Sequence, residues 1–168
     1  MIDGLPAQGG DPLELDELRA LAARVAARPE LWRPHYRPNA TERVYAALHR
    51  DDIVDVWAIF WLPEHDTGWH DHDTSSGAVL VVEGALEEHV LRLARPERVR
   101  RYEAGGSFAF APSHIHRITC AAPRATSIHA YSPPLWRLGQ YTVTEDGDLR
   151  RVSVSYADEL RPLGAAAA

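Results

Sequence analysis

The sequence predicts a mainly β protein with a short helical segment near its N-terminus. From about residue 41 onward, short runs alternate between apolar and polar residues, as expected of strands that bury one face. Turns rich in Gly, Pro and Asp separate these runs about every 8–12 residues. Roughly nine short strands at this spacing are typical of a β-sandwich or a β-barrel.

One helix is predicted over about 12–27, ahead of the strands. Asp11 is suited to be its N-cap, and Pro12 its first helical residue. Apolar residues then recur at helical spacing, namely Leu15, Leu18, Leu21, Ala22 and Val25. Pro29 follows the expected end of this helix. A short second helix is predicted near 30–32.

The predicted strands are apolar or alternating runs between turn residues. They lie at 43–47, 53–62, 77–84, 86–93, 99–102, 107–111, 115–120, 125–132, 138–144 and 149–156. We expect residues 1–10 to be a flexible N-terminus and 11–163 to be a single domain, with its barrel at about 41–156. Residues 164–168 are expected to be a disordered tail.

Charge and composition exclude several classes of partner. The net charge is -6, the isoelectric point is near 5.8, and no basic run is present, so we expect no nucleic-acid partner. No apolar stretch approaches the roughly 18–20 residues that span a bilayer, and no signal peptide is recognisable at the N-terminus. The one cysteine, Cys120, is expected to be a small core residue in a reducing, cytoplasmic protein. No obligate protein partner is evident.

Histidines supply the first functional indication. Four of the nine histidines form two close pairs, His70 with His72 and His114 with His116. Residues i and i+2 of a strand point to the same face, so His70 and His72 can reach one ion. An H-x-H followed by a glycine-bounded turn at Gly84 and a later histidine is the pattern of a cupin, a jelly-roll barrel. The alternative is a set of exposed histidines at strand ends.

Two departures from the cupin pattern point to a site of three histidines. The pattern usually has a glutamate four or five residues after the second histidine, where this chain has Ser76 and Gly77. The second histidine motif is also one residue shorter between Pro112 and His116 than the general cupin pattern. Imidazole suits Zn, Cu, Fe and Ni alike, so spacing alone does not choose the metal.

From about 42 to 134 the sequence resembles the type I cysteine dioxygenases in their bacterial form. The combination of H-D-H, H-R and S-x-H-x-Y-S-P-P is highly specific for that family. The matching stretches are ERVY (42–45), WLP (61–63), TGWHDHDTSSGA (67–78), VVEGALEE (81–88), HIHRI (114–118) and SIHAYSPP (127–134).

The resemblance implies a cupin fold that holds one Fe(II) per chain. The metal ligands would be His70, His72 and His116. His114 is the rival for the third position, but the arginine that follows His116 favours His116.

The resemblance also implies that Arg43 binds the carboxylate of the substrate. A planar guanidinium can match a carboxylate with two hydrogen bonds, which lysine cannot do. Arg37 and Arg50 are the rivals for this role. In the related enzymes that use 3-mercaptopropionate this position tends to be glutamine, so Arg43 favours cysteine.

Ser127, His129 and Tyr131 match the family's outer serine, histidine and tyrosine, with Tyr131 also contacting the substrate. Spaced by two, they share one strand face and can form a hydrogen-bonded chain that directs the phenol. The alternative is an aromatic and a histidine packed in a barrel interior. Gly77 stands where animal enzymes carry a cysteine crosslinked to the tyrosine, so we expect Tyr131 to keep a free phenol. The family also has a cis Ser-Pro bond at the position that matches Ser132–Pro133 of this chain.

The expected function is an iron-dependent thiol dioxygenase that oxidises L-cysteine with O2 to cysteine sulfinic acid. Its partners would be the small thiol and O2. The nearest alternative is a dioxygenase of 3-mercaptopropionate or another small thiol. A non-catalytic ligand-binding cupin is a more remote one. A zinc hydrolase or sugar isomerase is disfavoured because a fourth protein ligand is absent.

Overall fold

The computed structural model describes residues 2, 5, 9–92, 95–144, 146 and 148–155. Two helices, one 3₁₀ turn and eleven strands lie in this part of the chain. They are α1 (Leu15–Ala26), α2 (Pro29–Trp32), the 3₁₀ turn (Arg33–His35), β1 (Val44–Arg50), β2 (Asp55–Trp61), β3 (Trp69–Asp71), β4 (Ser76–Glu83), β5 (Ala85–Val90), β6 (Arg98–Glu103), β7 (Ser107–Phe110), β8 (His116–Cys120), β9 (Ala125–Ser132), β10 (Arg137–Val143) and β11 (Leu149–Ser155). The predicted mainly β class with an N-terminal helical segment is confirmed. The predicted tail over 164–168 lies outside the described residues.

Helix α1 begins later than its sequence pattern predicts. The N-cap is Glu14, whose backbone N–H donates to Glu17 Oε2 (2.9 Å) in a capping box, so the predicted N-cap at Asp11 is wrong. The N–H of Leu13 donates instead to Ser132 Oγ (2.9 Å), which ties the residues before the helix to strand β9. No helix in the described part of the chain is long and apolar enough to cross a membrane.

The strands form two antiparallel sheets. One has the order β1-β2-β9-β4-β7 and the other the order β11-β10-β3-β8-β5-β6. Helix α1 packs on the outer face of the first sheet through Leu18, Leu21 and Val25, which are fully buried. Burying each of these side chains contributes about 1.5–3 kcal/mol relative to exposure.

Strand β9 is buried on both faces because α1 covers one and the second sheet covers the other. Ile128 and Ala130 point toward the helix and belong to the outer apolar cluster. Tyr131 belongs to the apolar cluster between the sheets, and Ser127 and His129 share its face by alternation. The polar row predicted from the sequence, Ser127, His129 and Tyr131, therefore points into the interior between the two sheets.

The sequence pattern predicts His70 and His72 to be strand residues but sets no bounds for that strand, because the three residues of β3 are too few to form a recognisable run. Strand β3 lies between β10 and β8, and His70 is the direct register partner of His116. Directly opposed residues of an antiparallel pair project from the same face of the sheet. The pairing therefore brings histidines 46 positions apart in sequence to one place.

Candidate active site

Three buried histidines meet between the two sheets. The ring centroids of His70 and His116 lie 4.7 Å apart, those of His70 and His72 4.9 Å, and those of His72 and His116 5.1 Å. Each offers one ring nitrogen, and these three atoms all lie within 4.8 Å of one another. The structure thus brings together the three residues predicted as metal ligands.

The hydrogen bonds and charges of these rings fit a metal ion. His70 Nδ1 donates to the carbonyl of Gly68 (3.0 Å), and His116 Nδ1 donates to Glu88 Oε1 (3.1 Å). His116 Nε2 and His72 Nδ1 are buried and have no hydrogen-bond partner among the described residues. Burial lowers the pKa of His116 to about 3 and that of His72 well below its usual range, so both rings are neutral. Neutral imidazoles with buried ring nitrogens that lack a hydrogen-bond partner suit a transition metal.

Asp71, between the two histidines of the H-D-H motif, anchors that segment to the hairpin of strands β10 and β11. Its carboxylate accepts two bonds from Arg151 (2.8 and 2.9 Å) and one from the N–H of Gly139 (3.0 Å). Burial alone would raise the pKa of Asp71, but hydrogen bonds from Arg151 and Tyr141 outweigh it and hold the pKa well below its usual range. A Cβ on Gly139 would lie 2.1 Å from Arg151 Nε, so glycine leaves room for the guanidinium. Sequence analysis missed this contact because 80 positions separate its partners.

Glu88 is a second residue that sequence analysis missed. Its buried carboxylate accepts hydrogen bonds from His116 and from His114 Nε2 (2.9 Å), and Tyr102 donates to its other oxygen (3.3 Å). Burial alone would raise the pKa of Glu88, but the bonds from His114 and His116 outweigh it and lower the pKa to about 2. His114 thus points at Glu88, whereas His116 faces His70 and His72. The sequence signal was the alternation of strand β5, which turns Leu86, Glu88 and Val90 to one face.

Ser127, His129 and Tyr131 form the hydrogen-bonded row predicted for them. Ser127 Oγ lies 2.8 Å from His129 Nε2, and His129 Nδ1 lies 3.0 Å from the Tyr131 hydroxyl. Trp61, which sequence analysis did not single out, donates its indole N–H to Ser127 Oγ (2.8 Å). Burial, followed by the positive charge of Arg43, lowers the pKa of His129 to about 3, so its ring is neutral.

The indole N–H of Trp61 can only donate, so Ser127 Oγ accepts from it and keeps its own hydrogen available for His129 Nε2. When Ser127 donates that hydrogen, the neutral ring of His129 carries its hydrogen on Nδ1 and donates it to the Tyr131 oxygen. In that arrangement the phenol hydrogen of Tyr131 is directed away from His129.

A small cavity of about 20 Å³ joins these groups. It is lined by Arg43, Trp57, Ile59, Trp61, Thr67, His70, His72, Ile118, His129, Tyr131, Leu135 and Leu138. The guanidinium of Arg43 lies 5.3 Å from the ring centroid of Trp61. Its rivals lie elsewhere: Arg37 bonds to the carbonyls of Pro34 and Tyr36, and Arg50 pairs with Asp55. Of the three arginines, Arg43 alone lines the cavity.

The ring of Phe110 fills the space beside Gly77. It stacks on His72 at a centroid distance of 4.4 Å and meets His116 edge-on at 4.7 Å. A Cβ added at Gly77 would lie 2.4 Å from Phe110 Cζ and 3.0 Å from Tyr131 Cδ1. A side chain at position 77 therefore requires Phe110 to move.

We expect Gly77→Ala to lower the free energy of unfolding by about 1–3 kcal/mol, the usual cost of overpacking a core. Urea unfolding followed by circular dichroism measures this change. Phe110→Leu is the companion variant, since a smaller side chain makes room for the methyl group. The double variant should lose less stability than the sum of the two single losses. An unchanged midpoint for Gly77→Ala would contradict the tight contact.

Cys120 lies beside the core and not within it, whereas the Ser132–Pro133 bond has the isomer that the resemblance implies. Cys120 is half-buried against the apolar cluster between the sheets, and its Sγ lies 3.2 Å from the carbonyl of Ala122. Burial raises the pKa of this thiol, which disfavours a nucleophilic role. The Ser132–Pro133 peptide bond is cis.

Solved structures place the fold among the cupins. A cupin superfamily protein from Desulfitobacterium hafniense matches with a TM-score of 0.51 and 11% identity, over 79% of this chain and 97% of that chain. An uncharacterised protein with a double-stranded β-helix domain from Klebsiella pneumoniae matches with a TM-score of 0.54 and 15% identity, over 71% and 92%. At these identities the likenesses establish the fold alone.

The sequence narrows this class to one family. The family model of cysteine dioxygenase type I matches residues 9–143, which include all the residues of the cavity. The chain therefore belongs to the type I cysteine dioxygenase family, and the predicted resemblance is confirmed. A dioxygenase-type enzyme with a cupin fold is the class this membership supports.

Proposed function

We propose that this protein is an iron-dependent thiol dioxygenase that oxidises L-cysteine to cysteine sulfinic acid. The observation that carries the proposal is the cavity that brings Arg43 to the same space as His70, His72 and Tyr131. A cation for a carboxylate, imidazoles for a metal and a phenol as donor are the groups that would recognise a small amino-acid thiol. Family membership supports the same chemistry.

His70, His72 and His116 would hold the iron, one ion per chain. When bound, Fe(II) would supply open coordination positions for the thiol and the redox chemistry that brings O2 to sulfur. The overall change is balanced: one thiol and one O2 give one sulfinic acid, with the S–H hydrogen retained on the product. No external reductant enters.

The chain's own groups would select and orient the thiol. The guanidinium of Arg43 can pair with the substrate carboxylate through two charge-assisted bonds in a largely enclosed cavity. With its hydrogens running from Trp61 through Ser127 and His129, the row would hold the Tyr131 phenol as a donor toward the cavity. Its neutral His129 is an orienting group and need not act as a base.

The same cavity argues against the remaining alternatives. Among its described lining residues no carboxylate or lysine is present to serve as the acid or base of a zinc hydrolase. A cavity that only bound a ligand would not need the buried, directed row of Ser127, His129 and Tyr131. A dioxygenase of 3-mercaptopropionate is the second candidate, since that thiol shares the carboxylate that Arg43 would bind.

Metal analysis combined with oxygen uptake tests the proposal. We expect the purified protein to hold about one iron per chain and to consume one O2 per cysteine sulfinic acid formed. A chelator should abolish uptake, and Fe(II), but not Zn(II), should restore it. The control is the same iron-loaded protein with serine, which has a hydroxyl in place of the thiol. Full activity of a zinc-loaded, iron-free sample would overturn the assignment.

A further inference from the structure

Glu88 lies one hydrogen bond behind one of the three buried histidines. Its Oε1 accepts from His116 Nδ1, which forces the lone pair of that ring onto Nε2. That nitrogen is the buried atom with no hydrogen-bond partner among the described residues. Glu88 therefore selects the tautomer that offers Nε2 to an ion.

The carboxylate is itself held in place by other donors. His114 donates to the oxygen that His116 uses, and Tyr102 donates to the other one. Phe110 stacks on the ring of His114 and meets His116 edge-on, closing this side of the cluster. Glu88 is 4% exposed, so its charge acts on His116 with little screening by water.

We propose that Glu88 is a positioning residue for the metal ligand His116 and supplies the negative charge of this site. His70 donates instead to the neutral carbonyl of Gly68. The hydrogen-bond partner of His116 is therefore charged, whereas this partner of His70 is neutral. Where a cupin would place a glutamate near the H-x-H motif, this chain has Ser76 and Gly77. Glu88, on strand β5, places a carboxylate next to the site and acts on it through its hydrogen bond with His116.

A carboxylate that accepts the N–H of a metal-binding imidazole makes that imidazole a stronger ligand and favours the more oxidised state of the metal. His114 then has the role of a second donor that fixes Glu88. The inference rests on the proposed three-histidine metal site and deepens it.

Co(II) affinity of the metal-free protein provides the direct test, because it needs neither thiol nor O2. Glu88→Gln keeps the shape and the acceptor oxygen but removes the charge. We expect it to weaken Co(II) binding by about 10–100-fold, the usual loss for an outer partner of a metal ligand. Glu87→Gln is the matched control: Glu87 is the neighbour on the same strand, faces the other way and lies 3.8 Å from Arg101. It should bind Co(II) as the wild type does.

Two further readouts separate positioning from stability. The midpoint potential of the iron-loaded Glu88→Gln protein should rise, because the lost charge favoured the oxidised metal. His114→Ala keeps the bond between Glu88 and His116 and should lose less Co(II) affinity than Glu88→Gln. Thermal unfolding of the metal-free variants shows whether the fold is intact.

Normal Co(II) affinity and an unchanged potential in Glu88→Gln would overturn the inference. So would two Co(II) per chain in the wild type with one lost in both Glu88→Gln and His114→Ala, because Glu88, His114 and His116 would then be a second cation site. The failures of the two proposals are distinguishable. A protein that binds Co(II) through Glu88-supported His116 but oxidises no thiol would refute the dioxygenase and leave the role of Glu88 standing.

Discussion

His72→Ala is expected to remove most of the iron and, with it, thiol-dependent oxygen uptake. The ring of His72 is buried and packs against His70, His116, Phe110 and Tyr131, and alanine offers no ligand atom in its place. Loss of an outer partner of a metal ligand costs about 10–100-fold in metal affinity. Loss of the ligand itself should therefore cost roughly 100-fold or more. Iron per chain and Co(II) titration of the metal-free protein measure the effect.

Two other histidines serve as controls for this experiment. His89 is on strand β5 and bonds to Glu97 and Thr119, so His89→Ala should keep about one iron per chain. His114→Ala should also keep its iron under saturating metal, while His116→Ala should lose it. Should His114→Ala strip the iron and His116→Ala retain it, the third ligand would be His114.

Arg43→Ala is expected to lower kcat/KM for L-cysteine by about tenfold to hundredfold. A charge-assisted pair between a guanidinium and a carboxylate contributes roughly 1.5–3 kcal/mol. Since about 1.4 kcal/mol corresponds to a factor of ten, the loss falls in that range. Cysteamine keeps the thiol and the amine of cysteine but has no carboxylate, so its kcat/KM should hardly change. Oxygen-electrode kinetics on both thiols measure the difference.

Matched arginine variants sharpen this prediction. Arg43→Lys retains the charge without the planar fork and should recover only part of the loss. Arg37→Ala should leave cysteine oxidation unchanged, because Arg37 bonds to nearby carbonyls outside the cavity. Equal losses for cysteine and cysteamine in Arg43→Ala would make Arg43 a structural residue. If wild type oxidises 3-mercaptopropionate or cysteamine more efficiently than cysteine, the substrate proposal fails while the iron site can stand.

Several features of the molecule could be predicted from local periodicity alone. Alternation indicated that His70 and His72 share a face and that Ser127, His129 and Tyr131 form a row. The helical spacing of Leu18, Leu21 and Val25 identified the face of α1 that is buried. Each of these inferences needs only the geometry of one strand or one helix, so neighbouring residues are sufficient to make it.

The contacts between these local features and residues distant in sequence became visible in the folded chain. The pairing of β3 with β8 placed His116 opposite His70, and the neighbouring strand β5 directed His114 to Glu88. The contacts of Trp61 with Ser127 and of Arg151 with Asp71 likewise join residues more than sixty positions apart. Sequence reasoning could not reach these contacts because strand order and register, which set them, result from packing two whole sheets around one core.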